Sequence, residues 1–184
     1  CDDGNLAPND GCSPDCAPEP GGDPDNCPGN VYQLSSPDPL AVRHVGFLGD
    51  TTNLASNQSP SSCTGSGRDE VFAIIPDVDG HMTVNYVANF DNATLHVRNE
   101  CDTSSEQLDC IEATEPFQSL SVTVPVLANN AYYVIADGAS SSSNYGPYTL
   151  DVFVTPGACG NDEVDGGEGC DDGNAVAGDG CAPD

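Results

Sequence analysis

From Glu70 to Val154 the chain is a succession of short β-prone runs broken by turn residues, and no amphipathic helical pattern of useful length competes with them. The runs are EVFAIIP (70–76), HMTVNYV (81–87), ATLHVRN (93–99), SLSVTVPV (119–126), AYYVIAD (131–137) and YTLDVFV (148–154). Their β-branched and aromatic side chains suit a pleated, half-buried surface. Alternation is clearest at Met82, Val84 and Tyr86 and at Leu120, Val122 and Val124, which sets one face of each strand in a core and the other in water. Turns are expected at Asp79-Gly80, Asn129-Asn130 and Asp137-Gly138. Strands at this spacing predict an all-β fold, an antiparallel jelly-roll β-sandwich with small disulfide-rich, loop-dominated terminal segments. A chain of 184 residues holds one ordinary sandwich core plus appendages. Residues 1–26 read as a partial Cys-rich acidic repeat and linker, 27–156 as the sandwich, and 157–184 as a second Cys-rich acidic repeat.

Ten cysteines point to an oxidising, extracellular or cell-surface setting, because the cytosol keeps thiols reduced. Zinc is the competing use of cysteine. Only Cys12 and Cys16 approach zinc-ligand spacing, however, and His44, His81 and His96 are scattered. Thirty acidic residues stand against three basic ones, Arg43, Arg68 and Arg98, for a net charge of −27. Such a surface repels a phosphate backbone, so nucleic acid is excluded as a partner. No apolar run approaches the length of a helical membrane span, and the sequence opens on Cys1, as expected of a processed or excised piece of something larger.

The two ends repeat one another. Residues 1–15, CDDGNLAPNDGCSPD, align without a gap on residues 170–184, CDDGNAVAGDGCAPD. Each copy packs hard oxygen donors into glycine-rich turns: Asp2, Asp3, Asn5 and Asp10 at one end, and Asp171, Asp172, Asn174 and Asp179 at the other, joined by Asn161, Asp165 and Glu168. Ca²⁺ takes six to eight such ligands and would neutralise a crowded polyanion, so these residues are the expected metal site. The D-x-D-x-D-G spacing of an EF-hand is absent. Asp and Asn are also ordinary turn formers, which is the alternative explanation. Asp77-Val78-Asp79 is a weaker candidate that reads better as a hairpin turn.

These residues carry two resemblances. Residues 159–184, with Cys-Gly-Asn, Gly-Glu, Cys-Asp-Asp-Gly-Asn and Gly-Asp-Gly-Cys in order, resemble the Cys-rich disulfide repeat of secreted bacterial proteins first named from myxobacteria, less its final Cys. Residues 27–155 are similar to bacterial pre-peptidase C-terminal domains. That similarity rests on Arg68-Asp69-Glu70-Val71-Phe72, Phe90-Asp91, Asn99-Glu100-Cys101, Leu108-Asp109-Cys110, Ala131-Tyr132-Tyr133-Val134, Asp137-Gly138 and Tyr148-Thr149-Leu150. It implies a jelly-roll accessory domain of secreted proteins without catalytic residues of its own.

Spacing suggests that Cys101 and Cys110 close the segment CDTSSEQLDC and that Cys27 pairs with Cys63. Cys1, Cys12, Cys16, Cys159, Cys170 and Cys181 remain at the ends. Each end lacks one Cys of a four-Cys repeat, so the ends are expected to complete one another, either between tandem neighbours or in a homo-polymer. No nucleophile elbow, zinc-protease helix, phosphate loop or Lys is present, and no enzyme is expected. Asn57-Gln58-Ser59 and Asn92-Ala93-Thr94 match the N-glycosylation pattern, so glycans are candidate modifications. The leading expectation is a structural unit of a Ca²⁺-stabilised, disulfide-linked fibre, sheath or adhesive stalk. The rival is a carbohydrate- or substrate-binding accessory module of a secreted hydrolase.

Overall fold

Each of the six β-prone runs forms a strand, and among the described residues three further strands join them. The computed structural model describes residues 23–102, 104–140 and 143–157. The strands are β1 (Asn30–Leu34), β2 (Arg43–Asp50), β3 (Glu70–Pro76), β4 (Gly80–Ala88), β5 (Ala93–Arg98), β6 (Gln107–Glu112), β7 (Ser119–Val126), β8 (Tyr132–Gly138) and β9 (Pro147–Pro156). Two sheets face each other, in the orders β2-β9-β4-β7 and β1-β3-β8-β5-β6. With β1 set aside, 2-9-4-7 against 3-8-5-6 is the strand order of a jelly roll.

The alternation seen in sequence is the burial seen in space. Strand β7 alternates exposed and buried residues along its whole length, and β4 alternates buried and half-buried ones. Met82, Val84, Tyr86, Leu120, Leu150 and Val152 fill the core from one sheet, with Phe72, Ile74, Leu95 and Val134 facing them from the other. Tyr86 and Tyr148 meet edge to face at 5.3 Å, while Tyr32 and Phe47, at 4.6 Å, close the side between β1 and β2.

The antiparallel expectation holds for β2–β9, but β1 runs parallel to β3, from Asn30 opposite Phe72 to Leu34 opposite Pro76. A parallel neighbour needs a long crossover, and here the chain makes it through the other sheet as β2 before returning as β3. Asp137-Gly138 is no turn. It ends β8, where Asp137 lies opposite Thr94 of β5. The Asp79-Gly80 turn does form, with Gly80 at φ +150° and no space for a Cβ against the Thr155 carbonyl. Asn129 takes a left-handed φ of 61° in the β7–β8 turn.

Asp23 and Gly157, the first and last residues of the described core, lie at opposite poles. Pro24 accepts from Val71 N–H (2.9 Å) and Asp25 Oδ1 from Ala55 N–H (2.6 Å), at the pole where β3 begins. Gly157 donates to the Asp79 carbonyl (3.0 Å), at the pole where β3 has ended and β4 begins. Strand β9 runs between the two poles, a span of about 30 Å at ~3.3 Å per residue.

Candidate functional site

Two disulfides staple the outer face of the five-stranded sheet. Cys27 bonds to Cys101, with Cα atoms 5.7 Å apart, and Cys63 to Cys110, at 6.1 Å. This corrects the pairing suggested by spacing, Cys101 with Cys110 and Cys27 with Cys63. The segment between Cys101 and Cys110 is no simple loop, because it contains the start of β6, which carries Cys110 opposite His96 of β5. Cys101 instead folds back over Val71 and Ile135, where Cys27 also packs.

Residues 54–69 lie across that face as a clamped strap. Ser66 and Gly67 donate backbone N–H groups to the Gly138 carbonyl (3.3 and 2.6 Å). Thr94 Oγ1 donates to the Thr64 carbonyl (2.7 Å), Ser61 N–H to Gln107 Oε1 (2.8 Å), and Thr64 N–H to Glu112 Oε1. The strap hides polar side chains that would otherwise face water: His96, Arg98, Asp69 and Asp137 are all 0–1% exposed. Arg98 Nη1 donates to Gln58 Oε1 and to the Cys101 carbonyl (both 2.9 Å), and Nη2 to the Ser59 carbonyl (2.5 Å). Asp69 Oδ2 accepts from the N–H groups of Asn57 (2.8 Å) and Gln58 (2.9 Å). Arg98 thus fixes the strap from beneath, and Asp69, at the strap's own end, folds it onto itself.

The cluster is tightly confined. His96 Nε2 lies 3.7 Å from Asp137 Oδ2, and both atoms lack a hydrogen-bond partner, as do His96 Nδ1, Asp69 Oδ1 and Arg98 Nε. Burial pushes the Asp137 carboxyl up to about 8, even though Gly138 N–H donates to it at 2.6 Å. Burial likewise raises Asp69 to about 6, and burial aided by the Arg98 charge lowers His96 to about 3.

A pH dependence follows from these shifts. The stability that protonated Asp137 contributes is fully present below about 4 and is lost as pH rises through about 8; that of Asp69 is lost by about 6. The stability of neutral His96 is present above its ordinary value near 6.5 and is lost as pH falls through about 3. Of these three contributions that of Asp137 changes most between pH 6.5 and 8, so thermal midpoints are expected to fall across that window. In Asp137→Asn the decline should vanish, and an unchanged slope in that variant would refute the assignment.

The acidic residues and cysteines singled out at the chain ends, Asp2 to Cys16 and Cys159 to Cys181, lie outside the described residues. Among the described residues no three His, Cys, Asp or Glu side chains are placed to hold a metal ion. Asp77 is engaged by Arg43 Nε (2.7 Å) and Ser36 N–H (3.0 Å), and Asp79 by Ala128 N–H (2.6 Å), which is turn chemistry. Asn57 and Asn92 are exposed, Asn57 already donating its amide to the Asp25 carbonyl (2.8 Å). All three histidines sit in strands. Tyr132 and Tyr148 are buried, and Arg68 covers Tyr145 at 4.2 Å. On the open face of the four-stranded sheet His44 stacks on Phe153 at 4.4 Å, with Nε2 2.9 Å from Asp151 Oδ1.

The polar cluster escaped sequence reading because Thr94, His96 and Arg98 alternate with apolar residues as a wetted strand face would. The available signal was an arginine and a histidine on one face of an otherwise apolar strand, upstream of a Cys that needed a partner.

No protein-family model matches the chain, and no curated protein matches it. Solved structures similar to it include a periplasmic lysozyme inhibitor, PliG of Aeromonas hydrophila, 10% identical with a TM-score of 0.39 over 68% of this chain and 96% of that one. Another is the K3 cleaved adhesin domain of Lys-gingipain from Porphyromonas gingivalis, 14% identical, TM-score 0.35, over 61% and 74%. A third is the CBM35 of Abf62 from Cellvibrio japonicus, 13% identical, TM-score 0.36, over 62% and 99%.

Proposed function

We propose that the chain is an extracellular structural module, the repeating bead of a Ca²⁺-stabilised, disulfide-linked fibre, sheath or adhesive stalk. The observation that carries this reading is the placement of Asp23 and Gly157 at opposite poles of a stapled sandwich. The Cys-rich repeats flanking the sandwich in sequence therefore continue from opposite ends of a rigid body, as a linear string requires. Hard oxygen donors at Asp2, Asp3, Asn5 and Asp10 and their counterparts from Asn161 to Asp179 are chemistry that Ca²⁺ accepts, and the sequence carries cysteines at both ends. The rival reading, a carbohydrate-binding accessory module, draws on the open sheet face, where Phe153 and His44 stand beside Asp151.

Electron microscopy of the native assembly tests the proposal. Ordered polymers are expected in Ca²⁺ under oxidising conditions, shortening at least tenfold with chelator and reductant together. Dispersed monomers in every condition, with glycan binding by the monomer, would favour the rival.

A further inference from the structure

The geometry points to a second, non-covalent joint between copies of this chain: Phe117 of one copy seats in a groove at the far end of the next. This deepens the head-to-tail reading above and rests on it.

The knob is unusual on physical grounds. Phe117 is 71% exposed and sits at φ 60°, a conformation rare for an aromatic residue. It is held there: its N–H donates to the Ala88 carbonyl (2.7 Å), and Thr114 N–H donates to Gln118 Oε1 (3.0 Å) across the same turn. A large apolar side chain is thereby presented to solvent on a pinned backbone, at the pole where β4 ends and β7 begins.

The groove is at the other pole. It encloses about 590 Å³ and is walled by Leu108, Pro125, Leu127 and Tyr132, with Asn99 and Asn130 among its polar residues. Leu108 and Leu127 are 41% and 42% exposed, the only large apolar side chains besides Phe117, Leu40, Val42 and Leu48 to be so exposed among the described residues. The Tyr132 hydroxyl accepts from Leu127 N–H (2.7 Å), which fixes the walls before anything binds.

Topology places knob and groove on one line. Strand β6 carries Leu108 near its start, the chain crosses to the other sheet through the turn bearing Phe117, and β7 returns to Pro125. Ser119 lies opposite Val87 and Val126 opposite Gly80, so the two ends of β7 mark the two poles, about 25 Å apart. A second copy stacked head to tail along the strand axis would present its Phe117 to the pole that bears the groove, on the same β6–β7 side of the sandwich. The pole that bears the groove is also the one from which the chain leaves at Gly157, and the pole that bears the knob is the one it enters near Asp23. Such a contact is heterologous and does not close, so it propagates into a filament rather than a dimer.

The test uses the full oxidised chain and two variants, Phe117→Asp and Leu127→Asp, with sedimentation and electron microscopy as readouts. Each variant alone is expected to shorten filaments at least tenfold, leaving only the cross-links at the chain ends, while an equimolar mixture should gain dimers over either variant alone, because it offers one intact knob and one intact groove per pair. Both variants should melt within about two degrees of the parent, since both side chains are substantially exposed. Filaments of parental length from either variant, or a mixture without dimers, would overturn the joint and leave the disulfide-linked reading standing. A parent chain that never assembles would overturn both.

Discussion

Replacing Cys27 and Cys101 together by serine is expected to lower the unfolding free energy by roughly 4 kcal/mol, and the same change at Cys63 and Cys110 by nearly as much. The sequence separations closed are 74 and 47 residues, and the entropy a cross-link removes from the unfolded chain grows with the logarithm of that length. Domains of this size are stable by about 5–15 kcal/mol, so either loss is large. The two loops overlap in sequence, so removing both should cost less than the sum, because each bond already restricts the unfolded chain that the other would restrict. Urea titrations of the two double variants and the quadruple variant measure this directly. A shift under 1 kcal/mol for either pair would show that the staples hold nothing that the sandwich does not hold itself.

Arg98→Met is expected to destabilise by about 3–5 kcal/mol at pH 8. The guanidinium donates to Gln58, Ser59 and Cys101 and sets a positive charge beside Asp69 and Asp137 beneath the strap. Without it, two buried carboxyls lose their compensating charge and three acceptors lose a donor. Because burial already holds both carboxyls toward their neutral forms, proton uptake offers relief as pH falls. The penalty should therefore shrink by half or more at pH 5. A cost independent of pH would mean that the arginine acts through packing alone.

The six strands legible in sequence and the three that were not differ in position. β3, β4, β5, β8 and β9 have a neighbour on each side, and only β7 of the six lies at a sheet edge. β1, β2 and β6 are all edge strands. Edge strands are under weaker demand for continuous apolar patterning, and they show it: Gly46 and Gly49 interrupt β2, and Gln107, Asp109 and Glu112 dilute β6. Missing β6 also misled the disulfide pairing, since a strand between Cys101 and Cys110 carries the second cysteine away from the first. The strap was illegible for another reason. Residues 54–69 carry turn chemistry throughout, and only long-range partners, Gly138 for Gly67 and Arg98 for Gln58, convert them into a cover for the sheet.

The polar separation of Asp23 and Gly157 has a mechanical consequence. Tension applied through them acts parallel to the strands, and the last strand, β9, is hydrogen-bonded along its length to β2 on one side and β4 on the other. Ladder bonds lie across the strand direction, so such a pull loads them all in shear, and they must rupture together rather than unzip one at a time. At the other end, the Cys27–Cys101 bond passes the force to the end of β5, an interior strand of the five-stranded sheet, before short β1 can peel away.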